Sequence, residues 1–83
     1  MTKREQQLLI AIGDFWARNF RAPSYREMGE EVVPKMSPHH THRAVNKTLI
    51  PAGYASAVGG KHCTVALTQQ GEDIYKKIKK SLA

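Results

Sequence analysis

Along the first twenty residues the apolar positions recur at steps of three and four. Leu8, Leu9, Ala11, Ile12, Phe15, Trp16 and Phe20 would cover well over half the circumference of a helix spanning Lys3 to Asn19, which predicts burial on more than one side. Arg21-Ala22-Pro23 interrupts the pattern. It resumes over Tyr25 to Val32, where Met28 and Val32 share one face, and Pro34 ends this second helix. From Pro38 onward Thr41, Ala44, Val45, Thr48 and Leu49 mark an inner face, while His39, His40, His42, Arg43, Asn46 and Lys47 fall outside. Pro51 makes Ile50 the expected last residue of this third helix, because the residue before a proline is pushed out of the α region. After Gly53 the period changes to alternation, in Tyr54 to Val58 and again in His62 to Leu67, around Gly59-Gly60-Lys61. That predicts a two-stranded hairpin whose glycines supply the positive φ angles of a tight turn. A last helix over Gln69 to Leu82 carries Ile74, Ile78 and Leu82 at steps of four with Tyr75 beside them, and Lys76, Lys77, Lys79 and Lys80 complement its dipole.

Hydroxyl side chains mark where these helices begin. Thr2-Lys3-Arg4-Glu5 and Ser24-Tyr25-Arg26-Glu27 both fit the capping box, and Ser37-Pro38 places a cap before a proline at the first helical position. Thr68 is a weaker fourth start. The resulting order, α-α-α-β-β-α, is mainly α with a small β-hairpin and is that of a winged helix-turn-helix. In such a fold the third helix is held against the major groove of B-DNA while the hairpin reaches the neighbouring backbone.

Composition narrows the reading further. Eighty-three residues predict a single domain with no room for a catalytic unit beside it. No apolar run approaches the ~18 residues needed to cross a bilayer, and the N-terminus lacks the pattern of a secretory signal, so a cytoplasmic location is expected. Cys63 is the only cysteine. The net charge of +6 points to an anionic partner, and its placement matters more than its size: from Val32 to Gly71 there is no Asp or Glu. That stretch holds Lys35, Arg43, Lys47, Lys61 and all four histidines. No phosphate-binding loop, carboxylate pair or nucleophile with a base is present, so the chain is expected not to be an enzyme.

Thr2-Lys3-Arg4-Glu5-Gln6-Gln7, Arg21-Ala22-Pro23-Ser24-Tyr25-Arg26-Glu27-Met28, Ser37-Pro38 and Ala52-Gly53-Tyr54 together resemble the N-terminal DNA-binding domain of LexA-type repressors, over roughly Thr2 to Leu67. The resemblance implies operator binding, with base contacts from the start of the third helix: Ser37, His39, His40, His42 and Arg43. LexA-type proteins carry acidic side chains where this chain has His42 and Arg43, which implies a different operator. One extra residue lies between Pro38 and Gly53. The self-cleaving C-terminal domain is absent, so release by autoproteolysis is not expected. Leu67-Thr68-Gln69-Gln70-Gly71 and the helix after it are similar instead to the end of the wing in MarR-like regulators, where a terminal helix helps dimerisation.

His39, His40, His42, His62 and Cys63 could be read as zinc ligands, but adjacent helical histidines point about 100° apart. A DNA-facing role is preferred over metal binding, with plain solvent exposure as the other reading; no metal or cofactor is expected. If the histidines meet phosphates, binding should tighten below about pH 6.5. Arg43, Asn46 and Lys47 are further DNA-binding candidates on the exposed face, Lys61 is a candidate wing contact, and Tyr25, Arg26 and Lys35 are candidate phosphate contacts. Ile74, Ile78 and Leu82 are expected to pack on the first helix with the terminal lysines solvated, a dimer seam through Leu9, Trp16 and the last helix being the competing reading; a homodimer on two half-sites is expected. The alternative is a winged-helix module that binds an acidic partner protein, such as a host enzyme or polymerase.

Overall fold

A computed structural model describes residues 1–59 and 63–82, the last by its backbone alone. Its elements are α1 (Lys3–Asn19), α2 (Tyr25–Glu31), α3 (Pro38–Lys47), β1 (Ala55–Val58), β2 (Thr64–Leu67) and α4 (Gln69–Leu82). This is the winged helix-turn-helix order. Helix α1 is the platform: it meets α2, α3, α4 and β2, and its Leu8, Leu9 and Ile12 are fully buried. Met28, Val32, Val45, Leu49, Ala55 and Val65 complete the core from the other elements.

The capped starts form as the residue types dictate. Ser24 accepts from the Glu27 amide at 3.2 Å while the Glu27 carboxylate accepts from the Ser24 amide at 2.9 Å, a complete capping box. Thr2 supplies the hydroxyl half of the same motif, accepting from the Glu5 amide at 3.2 Å. Thr68 caps α4, accepting from the Gly71 amide at 3.1 Å and donating to the Gly53 carbonyl at 2.6 Å. It thereby ties the start of α4 to the chain that enters the hairpin.

Two helix ends fall short of expectation. Helix α2 stops at Glu31, and Val32 is its extended C-cap at φ −90° and ψ 158°. Val32 remains buried, so its place on the Met28 face survives the change in backbone. Helix α3 stops at Lys47 rather than Ile50. Pro51 reaches back through Ile50, and the final turn loosens: the Ile50 amide bonds the Val45 carbonyl, five residues back, at 3.1 Å, and the Thr48 hydroxyl donates to the Ala44 carbonyl at 2.6 Å. Leu49 still enters the core from this turn.

The apolar stripe of α1 is also narrower than its sequence suggests. Leu8, Leu9, Ala11, Ile12 and Phe15 are buried, but Trp16 is 47% exposed and Phe20 79% exposed. Phe20 lies beyond the helix as its left-handed C-cap at φ 56°, and its ring meets Trp16 edge-on at 6.1 Å. Leu9, in turn, is fully buried and has no surface to offer to a dimer seam.

The strands pair antiparallel, Ala55 opposite Leu67 and Val58 opposite Thr64, with Val65 turned into the core. The expected turn residues Gly60 and Lys61, and His62 at the expected start of the second strand, lie outside the described residues. A third piece of sheet has no counterpart in the hydrophobic alternation: Ser24 bridges Thr64, and the Val65 amide donates to the Pro23 carbonyl at 2.9 Å. The bend between α1 and α2 is thus fastened to the hairpin.

Helix α4 lies on α1, with Ile74, Tyr75 and Ile78 against the core. Gly13, in the middle of α1, makes room for it: a Cβ there would fall 2.5 Å from Cδ1 of Tyr75. The Tyr75 hydroxyl donates to Asp14 at 2.6 Å, and Lys79 pairs with the same carboxylate at 3.2 Å. Burial, then the hydrogen bond to Asp14 and the charge of that carboxylate, push the Tyr75 phenol up to about 12. Among the described residues no helix is long and apolar enough to cross a membrane.

Candidate nucleic-acid interface

Helix α3 follows α2 after a short connection and presents one face to the core and one to solvent. Thr41, Val45 and Leu49 are fully buried, whereas His39, His40, His42, Arg43, Asn46 and Lys47 are all exposed. The structure therefore brings these six residues onto one open surface. Buried Thr41 does not break the rule for polar groups, because its hydroxyl donates to the Ser37 carbonyl at 2.9 Å.

At the start of α3 the Ser37 hydroxyl is engaged twice, by the His40 amide at 3.2 Å and by Nδ1 of the His40 ring at 3.1 Å. The direction of the second bond follows the tautomer of the His40 ring. Pro38 has no N–H and Ser37 takes the His40 and Thr41 amides, so the His39 amide and the absence of any acid are what this first turn offers an anion. His39 and His40 have ring centroids 6.1 Å apart and tilted by 53°, while His42 turns toward α2.

The His42 ring meets Tyr25 edge-on, with centroids 4.8 Å apart. Nδ2 of Asn46 donates to the Tyr25 hydroxyl at 3.1 Å and to the His42 carbonyl at 2.8 Å. Tyr25, named above as a phosphate contact, is thus half-buried, with its hydroxyl already engaged between α2 and α3. Burial pushes its phenol up, opposed by the Asn46 donor and reinforced by Cys63 on the strand side. The signal for this cluster lay in the sequence: residues 42 and 46 are one turn apart, opposite the first residue of α2. Nothing in the hydrophobic pattern, however, marked Tyr25 as their neighbour.

Two of the three acidic side chains of α2, Glu27 and Glu31, are paired with arginines, and the third, Glu30, is exposed. Arg21 holds Glu27 in a two-pronged pair at 3.0 and 2.6 Å, and Arg18 pairs with Glu31. The Arg21 guanidinium, aided by the Ser24 amide and hydroxyl, holds the Glu27 carboxyl down at about 2 against the effect of burial. Arg26, Lys35, Arg43 and Lys47 are exposed and form no ion pair among the described residues. Lys61 and His62, the expected wing residues, lie outside the described residues. Cys63 sits half-buried at the foot of β2.

No family model matches the chain, and no curated protein matches it in sequence. Solved structures do share its fold. One, the crystal structure of a hypothetical protein, superposes on 100% of this chain with a TM-score of 0.84 at 17% identity. This chain spans only 26% of that protein's length. Another, described as a possible HxlR family transcriptional factor from Thermoplasma volcanium GSS1, superposes on 96% of this chain and 69% of its own length. Its TM-score is 0.73 at 20% identity. Likeness at these identities establishes the common winged-helix architecture.

Proposed function

We propose that this chain is a transcription regulator that binds double-stranded DNA with sequence preference, α3 entering the major groove. The observation that carries the proposal is the exposed face of α3, where Arg43 and Lys47 stand without ionic partners among the described residues, while Glu27 and Glu31 of α2 are tied to Arg21 and Arg18. A cation left unpaired beside a convex helix face is available to phosphates and base edges. The likeness to a structure described as a transcriptional factor supports the same reading.

Within it, Arg43 meets guanine edges, with Ser37, His39, His40 and His42 as neighbouring base or phosphate contacts. Lys47, Lys35 and Arg26 neutralise phosphates, and Lys61 does so from the wing. The LexA-type resemblance supports repression as the outcome and the Ser37-Pro38 start as the base-reading end. Two copies on adjacent half-sites would supply the specificity one small domain lacks.

Selection from a random DNA library with the purified chain tests this directly. The expected result is an enriched motif whose binding weakens with salt at a log-log slope of about −3.6 per protomer, from about four phosphate contacts. Recovery of no motif, together with capture of an acidic protein by the α3 surface, would refute it.

A further inference from the structure

The Asn46 amide is committed in a way that limits what it can recognise. An amide carries two N–H hydrogens and one acceptor oxygen. Both hydrogens of Asn46 are used within the protein, one by the Tyr25 hydroxyl at 3.1 Å and one by the His42 carbonyl at 2.8 Å. The carbonyl can only accept, so the atom facing it must be Nδ2, and this fixes which way round the amide lies. Oδ1 has no partner among the described residues and is the one hydrogen-bonding atom left to a ligand.

We propose that Tyr25 is a positioning residue that makes Asn46 an acceptor-only reader, selecting bases that present an exocyclic amine in the major groove, adenine or cytosine. This rests on the proposal that α3 reads DNA. The familiar asparagine contact with adenine uses both N6 and N7 and needs an N–H as well as an oxygen. Held as it is, Asn46 lacks the N–H, and adenine loses its advantage over cytosine. Guanine and thymine offer only acceptors at the corresponding edge and are rejected.

Tyr25 is well supported for this task. It is the first residue of α2, directly after the Ser24 capping box, and Ser24 is bridged to Thr64 of β2. Its ring is braced by His42. The base preference of α3 is therefore set partly by a side chain of α2 that itself touches no base.

Random-library selection, run in parallel on the unaltered chain, Tyr25→Phe, Asn46→Ala and Asn46→Asp, tests the proposal. The unaltered chain should yield one motif position that accepts A and C within about threefold and disfavours G and T, a spread set by one hydrogen bond against none. Asn46→Ala should flatten that position alone. Tyr25→Phe keeps the ring against His42 but frees an N–H, and should raise the A-to-C ratio there by about tenfold as the two-point contact becomes available. Asn46→Asp, an acceptor-only side chain, should keep the tolerance of A and C, and does so whether or not Tyr25→Phe folds. An unchanged A-to-C ratio in Tyr25→Phe, or a lost tolerance in Asn46→Asp, overturns the proposal while leaving DNA binding intact. No motif from the unaltered chain overturns both.

Discussion

Replacing Gly13 by alanine sets two effects against each other in the middle of α1. In an open helix the change stabilises by about 1 kcal/mol, because glycine is the poorer helix former. Here the new Cβ would fall 2.5 Å from Cδ1 and 2.7 Å from Cζ of Tyr75. Carbon atoms rest at about 3.5–4.0 Å, so the ring must retreat by about 1 Å. It is not free to do so. Its hydroxyl is bonded to Asp14 at 2.6 Å, and Lys79 of the same helix holds that carboxylate at 3.2 Å. Overpacking of this kind costs about 1–3 kcal/mol, and weakening a hydrogen bond to a charged, part-exposed acceptor adds about 1 kcal/mol. After the propensity gain, the net loss is about 1–3 kcal/mol, or about 4–8 °C of melting temperature for each kcal/mol. Thermal melts of Gly13→Ala against the unaltered chain measure this. Alkaline absorbance supplies a second readout, since the Tyr75 phenol now held at about 12 should fall toward its ordinary value near 10 as α4 lifts. A variant that melts higher and leaves the most alkaline tyrosine where it was would refute the reasoning.

Three further outcomes follow from contacts described above. Thr68→Ala removes both the cap of α4 and the bond to the Gly53 carbonyl, and should cost about 1–2 kcal/mol in urea unfolding, whereas a loss below a few tenths would show that water replaces the hydroxyl. The Glu27 carboxyl titrates at about 2 in the folded chain against an ordinary 4.5, so the native state binds fewer protons than the unfolded one between those values. Its contribution is complete above pH 4.5 and declines toward pH 2; the difference in melting temperature between the unaltered chain and Glu27→Gln should therefore close over that window, and a pH-independent gap would contradict the pairing. Arg43→Ala should weaken binding to the selected site by about 1–3 kcal/mol in competition gel shifts, and an equal loss on random DNA would make Arg43 a phosphate contact instead.

The helix starts were the most legible part of the fold, because Ser24, Ser37 and Thr68 act locally: each hydroxyl satisfies backbone donors within three residues of itself. Helix ends were less so. Pro51 marks a stop in the sequence, but how far its influence runs back depends on whether Thr48 and Leu49 find partners in a looser turn, and Leu49 finds its place in the core. Trp16 and Phe20 continue the apolar period of α1 past the point where another element covers it, a boundary set by where α2 and α4 lie. The exposed face of α3 was visible from its period and the lack of acids around it. The Tyr25, His42 and Asn46 cluster was not, because it depends on the angle at which α2 crosses α3, and no local pattern encodes that angle.

The fastening of the α1–α2 bend to β2 has a consequence for solubility. A two-stranded sheet has two edges, each a template on which a strand from another molecule could add. Along the start of β2 that place is taken, since the Val65 amide already donates to the Pro23 carbonyl. The outward-facing groups of the next residue are taken as well, since the Ser24 amide donates to the Glu27 carboxylate and its carbonyl accepts from the Met28 amide, so the ladder ends there. On the other side β1 offers only the four residues Ala55–Val58, too short an edge to recruit a partner strand. A protein with an exposed two-stranded hairpin thus carries its own defence against sheet-to-sheet aggregation, made from a capped bend that the helical pattern registers merely as a break.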